Sequence, residues 1–595
     1  MIIPERITKL RTVMRKYGID VYIVPTADFH QSEYVGEYFK ARKYITGFSG
    51  SAGTAVITAD EAKLWTDGRY FLQAAAQLKG TTVDLMKMDV EGVPTLKEYI
   101  KSILPSGGTL GFDGRVVSTS EGQDYARIAA EKEARVNSSM DLVGEVWENR
   151  PALSTKPAFE LHIQYSGESV ESKLTRIRKA MKEWGATAHV VTTLDDICWT
   201  LNIRGDDIDY FPLVLSYAVI TMDEVKLYVD ERKFSGPMKA RLTAEGISFH
   251  PYNNIYEDVK KLEGDETLLI DTKRLNYTLY NNIPACVKKV EKENPEMLFK
   301  ARKNKVEIAN IKKAQLKDSI AHIRFMKWLK ENASVETITE ISAARKLDGF
   351  RKEMGNYIRP SFEPLSAFGQ HAAIVHYSST EETNVKITEG NMLLTDTGAG
   401  FYEGSTDITR TYAIGEIPQR MKDHFTVVAI GNLELANARF LKGCSAIQLD
   451  ILARKPFWDR GLDYNHGTGH GFGYLLNIHE GPVSFSYKNK NQVDYLLEEG
   501  MVLTDEPGIY IENSHGIRLE NDLLVCKDEK NKYGQFMKFE VMTYIPFDLD
   551  AINPCMMTAS EKKLLNEYHK KVYEEASPYL NDEENEWLKK YTRSI

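Results

Sequence analysis

The stretch Thr395-Asp396-Thr397-Gly398-Ala399-Gly400-Phe401-Tyr402-Glu403-Gly404-Ser405-Thr406-Asp407-Ile408-Thr409-Arg410 decides how the chain is read. Its glycine-rich centre suits a connection between two antiparallel strands. With the turn centred between Phe401 and Tyr402, Asp396 and Asp407 fall opposite one another with their side chains on one face. Like charges directly opposed are destabilising, so this placement calls for a cation between them.

Three further motifs extend the pattern: His466-Gly467-Thr468-Gly469-His470-Gly471, Thr504-Asp505-Glu506-Pro507-Gly508 and Arg518-Leu519-Glu520-Asn521. Glu506 and Glu520 are symmetric about Asn513, and Asn513-Ser514-His515-Gly516 supplies turn chemistry. A bulge in either hairpin would break this register. His466 and His470 are spaced i, i+4, but the interleaved glycines disfavour a helix and the Glu of a zinc-protease motif is missing. In a strand the same spacing also shares a face, so one or both histidines can point where the carboxylates point. Four carboxylates and an imidazole form an oxygen-rich set, better suited to Mn²⁺ or Co²⁺ than to structural zinc. Two such ions about 3.5–4 Å apart can share a hydroxide and polarise a carbonyl. Arg518, two residues before Glu520, shares its face and either orients the carboxylates or forms a plain structural salt bridge.

Upstream, two segments read as copies of one unit. Ile7 to Val24 is an amphipathic helix stopping at Gly18 and followed by an apolar strand; Lys173 to Val191 repeats this with Gly185. Leu64-Trp65-Thr66-Asp67-Gly68-Arg69-Tyr70-Phe71 is echoed by Leu227-Tyr228-Val229-Asp230-Glu231-Arg232-Lys233-Phe234. The spacing therefore predicts two related α/β domains at 1–155 and 156–305. A helix from Val306 to about Asn332 then opens a region at 306–595 that holds the metal-type residues. The run Lys300-Ala301-Arg302-Lys303-Asn304-Lys305 reads as a solvated linker, and Ser560 to Ile595 as a charged helical cap or interface.

At 595 residues the chain exceeds a single hydrophobic core. Its 42% hydrophobic and 27% charged residues are those of a globular protein, and no apolar run approaches the ~18 residues needed to span a bilayer. The start lacks a secretion signal, which favours the cytoplasm. A net charge of −9 opposes non-specific nucleic-acid binding. The five cysteines are scattered without a C-x-x-C pair and read as buried thiols rather than disulfides or a zinc site. The glycines around His470 fit neither a dinucleotide fingerprint nor a phosphate loop, and no serine-hydrolase elbow or cysteine-hydrolase motif is present.

At these residues the sequence resembles the pita-bread metallopeptidases, specifically the cytosolic-type Xaa-Pro aminopeptidases (aminopeptidase P, family M24B). The resemblance runs over nearly the whole chain. It includes Tyr22-Ile23-Val24-Pro25, His30 to Tyr34, Gly47 to Gly53 and Trp65 to Phe71. Farther on it includes Leu201 to Gly205, Ile374-Val375-His376-Tyr377, the five ligand motifs, and Phe539-Glu540 before Thr543 and Pro546.

It implies two creatinase-like N-terminal α/β domains followed by a pita-bread catalytic domain of α+β type. It also implies a centre for two divalent metal ions, manganese by preference with cobalt or zinc as alternatives, held by Asp396, Asp407, His470, Glu506 and Glu520, with Asp407 and Glu520 bridging. The catalytic residues it implies are His376, His466, His479 and Glu506. His479 falls near the scissile carbonyl, the other two histidines lie on the proline side, and Glu506 moves the proton. The implied reaction releases the N-terminal residue from peptides with proline second, through a metal-bridging hydroxide, in a cytoplasmic homodimer.

The competing readings are a prolidase, which usually has one N-terminal domain, and an inactive peptide-binding module, which would have lost its ligands. His371 stands where relatives often carry a small or amide residue, leaving it between pocket and loop roles. Trp65 and Arg69 are expected in core packing and a local salt bridge.

Overall fold

The computed structural model describes residues 1–488 and 495–595. The chain divides into two compact units, one of residues 1–161 and 168–297 and one of residues 162–167 and 298–595.

The first unit contains the repeat. Helix Ile3–Lys16 buries Ile7, Leu10 and Met14 and ends before Gly18, whose φ of +63° turns the chain into strand Val21–Pro25. Helix Val170–Glu183 buries Leu174, Ile177 and Met181 and ends before Gly185, at φ +72°, ahead of strand Ala188–Val191. Each strand joins a six-stranded sheet. The first sheet has the order Asp84–Lys87, Ala62–Thr66, Thr54–Ile57, Val21–Pro25, Thr109–Phe112, Arg135–Asn137. The second has the order Ile247–His250, Val225–Val229, Ser216–Thr221, Ala188–Val191, Thr267–Ile270, Lys288–Glu291. In both, the founding strand pairs antiparallel with its successor on one side and parallel with a later strand on the other. The echoed Leu64 and Leu227 stand on equivalent strands.

The two sheets are joined by buried bonds. His30 places Nδ1 2.8 Å from the Thr192 carbonyl and Nε2 2.6 Å from the Tyr252 hydroxyl, and the Thr119 amide donates to Leu275 O at 2.8 Å. Trp65 is buried with its indole N–H on Pro94 O at 2.9 Å, and Arg69 pairs with Asp67 at 2.8 Å, as expected of core packing and a local salt bridge.

In the second unit helix Lys305–Asn332 opens with a capping box between Asn304 and Glu307 and lies against the strands that carry the site. Asn391–Thr397 pairs with Leu365–Phe368 and with Ile408–Ile414. A six-stranded sheet follows the order Arg439–Leu441, Gly534–Val541, Asn521–Asn531, Val502–Asp505, Gly469–Gly471, Glu480–Phe485.

Three expectations are corrected. The basic run is not simply solvated: Lys300 and Lys303 are buried, and the Lys303 ammonium forms an ion pair with Glu480 that is almost wholly sealed from solvent. The C-terminal helices Ala559–Ala576 and Asp582–Tyr591 bury Leu565, Tyr568, Val572 and Leu588 in the core, and the Tyr568 hydroxyl lies 2.8 Å from Arg410 Nη2. Of the cysteines, Cys198 is buried, while Cys286 and Cys555 are exposed.

Candidate metal centre

The site is assembled where two antiparallel ladders give way. In the ladder that runs from Val502↔Leu524 through Asp505↔Asn521, and resumes as Gly508↔Arg518 to Ile511↔His515, the positions between belong to Glu506 and Glu520. There each strand turns to a different neighbour. The Glu506 amide donates to Thr468 O at 2.7 Å, two residues before His470. The Glu520 amide donates to Thr409 O at 3.0 Å, two residues after Asp407. The expected symmetry about Asn513 holds, with Asn513 at φ +58° in the turn.

The other hairpin differs from expectation. Phe401 pairs with Gly404 and Asp396 pairs with Thr409, so the turn is centred on Tyr402 and Glu403 rather than between Phe401 and Tyr402. Asp407 is therefore diagonal to Asp396 instead of directly opposite. A shift of two residues preserves the face, because side chains alternate with period two, and both carboxylates remain on one side. Gly398 is required here: a Cβ would stand 2.0 Å from Ser361 Oγ and 2.1 Å from Thr406 O.

Asp407, His470 and Glu520 offer ligand atoms that all lie within 4.8 Å of one another. His470 Nε2 is 3.5 Å from Asp407 Oδ2 and 3.6 Å from Glu506 Oε1. Its Nδ1 lies 2.9 Å from Gly471 O, so donation there leaves Nε2 as a lone-pair donor facing the carboxylates. Thr409 Oγ1 donates to Glu520 Oε2 at 2.7 Å and accepts from Arg518 Nε at 3.2 Å. Arg518 also donates to Asp396 Oδ2, and to the Tyr510 hydroxyl at 2.7 Å.

The electrostatics describe a cluster short of positive charge. Burial, then Asp396, Asp522 and Glu506, push the Asp407 carboxyl well above the usual range, with Arg518 opposing. Burial, then Asp407, Glu506 and Asp396, do the same to Glu520. Glu506 is pushed up to about 7, chiefly by burial. Asp396 Oδ1 is buried and has no hydrogen-bond partner among the described residues. The orphaned Asp396 oxygen, an imidazole nitrogen aimed at Asp407 and Glu506, and mutually repelling carboxylates fit a site for divalent cations.

Of the other residues expected from sequence, His479 lies against His470 with ring centroids 4.3 Å apart. His466 is outside the strand Gly469–Gly471 and directs Nε2 to Tyr510 Oη at 2.8 Å. His376 is half-buried on a loop whose Val375 carbonyl is 3.5 Å from Arg518 Nη2. His371 sits on Glu340, with Nδ1 to Oε1 at 2.9 Å. Sequence reasoning missed Tyr510, Thr409 and Asp522; the last accepts from the Asp407 amide at 3.2 Å. Alternation was the signal available, since Thr409 and Tyr510 share faces with Asp407 and Glu506.

This geometry coincides with similarity to known proteins. Residues 309–527 match metallopeptidase family M24 and residues 535–595 its C-terminal region. Residues 6–144 and 149–307 each match the creatinase/prolidase N-terminal domain. The chain is 36% identical over 612 residues to Xaa-Pro aminopeptidase 1 of Dictyostelium discoideum, covering 100% of this chain and 97% of that protein. The chain belongs to metallopeptidase family M24. It is also 34% identical to aminopeptidase P1 of Arabidopsis thaliana, over 99% of each chain. Within M24, the crystal structure of X-prolyl aminopeptidase from Caenorhabditis elegans, described as a cytosolic enzyme with a di-nuclear active site, superposes with a TM-score of 0.96 at 32% identity and 100% coverage of both chains. The M24 fold is therefore shared from end to end, creatinase-like N-terminal domains included.

Proposed function

We propose that this M24 chain is an Xaa-Pro aminopeptidase, releasing the N-terminal residue from peptides with proline in position two. The observation that carries the reading is the convergence of Asp396, Asp407, His470, Glu506 and Glu520 in a chain that matches Xaa-Pro aminopeptidases over its full length. In this reading residues 1–155 and 156–305 are the two creatinase-like domains and 306–595 the catalytic domain.

The five residues would hold two divalent ions. When bound, the ions supply Lewis acidity and an activated water. The chain's own groups do the rest. His479, beside His470, donates to the scissile carbonyl oxygen as negative charge develops there. Glu506 takes the proton of the attacking water on its carboxylate and returns it to the proline nitrogen as that nitrogen leaves. His376 and His466 bound the proline side of the pocket. Arg518 holds Asp396 in place and offsets part of the carboxylate charge.

The oxygen-rich donor set supports manganese, and the cytosolic description of the C. elegans relative supports a cytoplasmic location. Among the described residues no helix is long and apolar enough to cross a membrane. A homodimer is part of the proposal on family grounds, and light scattering on the purified protein tests it.

Metal-free protein reconstituted with Mn²⁺ should remove only the first residue of an Arg-Pro-Pro tripeptide and leave Arg-Ala tripeptides intact by mass spectrometry, with Asp407→Ala inactive. Cleavage confined to Xaa-Pro dipeptides would make it a prolidase. Peptide binding without turnover would make it a binding module.

A further inference from the structure

The loop from Phe368 to Tyr377, which carries His376, is gripped by a carboxylate that has no exposed surface. Glu340 is the first residue of helix Glu340–Lys352, behind the N-cap Thr339, and is 0% exposed. Its oxygens meet three donors from this one loop: the Phe368 amide at 2.7 Å, His371 Nδ1 at 2.9 Å and the Tyr377 hydroxyl at 2.9 Å. The His371 imidazole stacks on the Tyr377 ring with centroids 4.7 Å apart and planes inclined at 27°.

The opposite side of the loop faces the metal centre. Gly516 approaches so closely that a Cβ would stand 1.7 Å from the Ala372 carbonyl oxygen. Arg518, which donates to Asp396, reaches the Val375 carbonyl at 3.5 Å. The loop is thus clamped between the Glu340 carboxylate and the Arg518 strand.

An acidic residue in the first turn of a helix serves the helix equally well when exposed. Burying it is costly unless donors compensate the charge. Here the compensation comes from the loop, including the His371 ring, whose Nδ1 lies 2.9 Å from Glu340 Oε1. We infer that Glu340 and His371 are positioning residues: they fix the backbone of residues 369–377 so that His376 faces the reacting peptide. This rests on the proposed pocket role of His376.

The test is steady-state kinetics of manganese-loaded, full-length protein on Arg-Pro-Pro, with His371→Ala, His371→Asn, Tyr377→Phe, His376→Ala and the double variant His371→Ala/His376→Ala. His371→Ala should lower kcat/KM about 10–100-fold, the range of outer-shell supports, with manganese content unchanged. Asn places an amide N–H near the position of Nδ1, so His371→Asn should recover turnover to within about 3-fold of wild type. The double variant should match His376→Ala alone within about 2-fold, since residues acting as one unit are not additive. If His371→Ala does not fold, the Asn and Phe variants carry the test, and Tyr377→Phe should fall between wild type and His376→Ala.

Wild-type turnover in His371→Ala, losses that multiply in the double variant, or His371→Asn as impaired as His371→Ala would overturn the positioning role while the pocket reading stands. Wild-type turnover in His376→Ala would sink the pocket reading and the positioning role together, and that single variant tells the two failures apart.

Discussion

The Tyr510 hydroxyl lies 2.8 Å from His466 Nε2. Arg518 Nη1 is 2.7 Å from the same oxygen, and a guanidinium can only donate. Tyr510 therefore accepts from Arg518 and turns its own proton toward His466, whose Nδ1–H donates to Gly467 O at 2.7 Å. One tautomer of His466 is selected through an arginine that also binds Asp396. Tyr510→Phe keeps the ring and breaks the link. It should lower kcat/KM about 10–100-fold while manganese content by mass spectrometry is unchanged. Undiminished turnover would show that the link is idle.

Asp407 should reveal the sign of the site's electrostatics. Without a cation it is buried beside Asp396, Asp522 and Glu506, so replacing it by Asn removes repulsion; with a cation the same replacement removes an attraction. Asp407→Asn is expected to raise the thermal midpoint of EDTA-treated protein and to lower that of manganese-loaded protein, each by about 2–4 °C per kcal/mol of altered interaction. Midpoints that move in the same direction in both states would contradict this.

Lys303 and Glu480 form an ion pair with side chains 1% and 2% exposed. Lys303→Met takes the ammonium away from a buried carboxylate, which costs about 3–5 kcal/mol. Replacing both by apolar residues removes the buried charge as well. The double variant Lys303→Met/Glu480→Leu should therefore be more stable than Lys303→Met in thermal melts, and a double variant that melts lower still would disprove the account.

Two buried histidines should each contribute stability that is lost in acid. Burial holds His322 and His569 down to about 3. Their surroundings require the neutral ring: Arg351 Nη2 donates to His322 Nε2 at 3.1 Å, and the Phe547 amide donates to His569 Nε2 at 3.1 Å. An unfolded histidine takes up its proton near 6.5, whereas these remain neutral until about 3. For these two rings the unfolded state then binds more protons across that window, and their contribution to stability falls as pH drops below about 6.5, by about 1.4 kcal/mol per pH unit for each ring. The raised carboxyls of Asp407, Glu506 and Glu520 act with the opposite sign, so the histidine part is read as a difference between proteins that share them. In melts from pH 7.5 to 5, the stability of His569→Gln relative to wild type should rise as pH falls. A difference independent of pH would refute the argument.

The two hairpins show what was legible in the sequence. Around Asn513 the turn residue itself tolerates a positive φ, so local chemistry fixed the register that sets Glu506 across from Glu520. Around Phe401 the glycines left several centres open. The choice is made by tertiary contacts on Glu403, whose carboxylate accepts from Lys317 at 2.8 Å and Asn356 at 2.8 Å and so anchors the tip. The repeat was readable because each copy carries its own helix, glycine and strand. The burial of Lys303 was not, since its partner is 177 residues away. Glu340 was invisible for the same reason: the loop that satisfies it begins 28 residues later and is recognisable only once folded. Thr409 and Tyr510 lay within reach of alternation, but their partners, Glu520 and His466, come from segments distant in sequence.

The amides of Glu506 and Glu520 leave their own hairpin to pair with Thr468 and Thr409, and this dictates an order of events during synthesis. No fragment ending before residue 520 contains the complete donor set, and no local hairpin presents it. Contacts this distant in sequence form slowly, so a nascent chain can capture its cations with full affinity only after the late strand has docked on the early ones. Ion loading is therefore a report that assembly is complete.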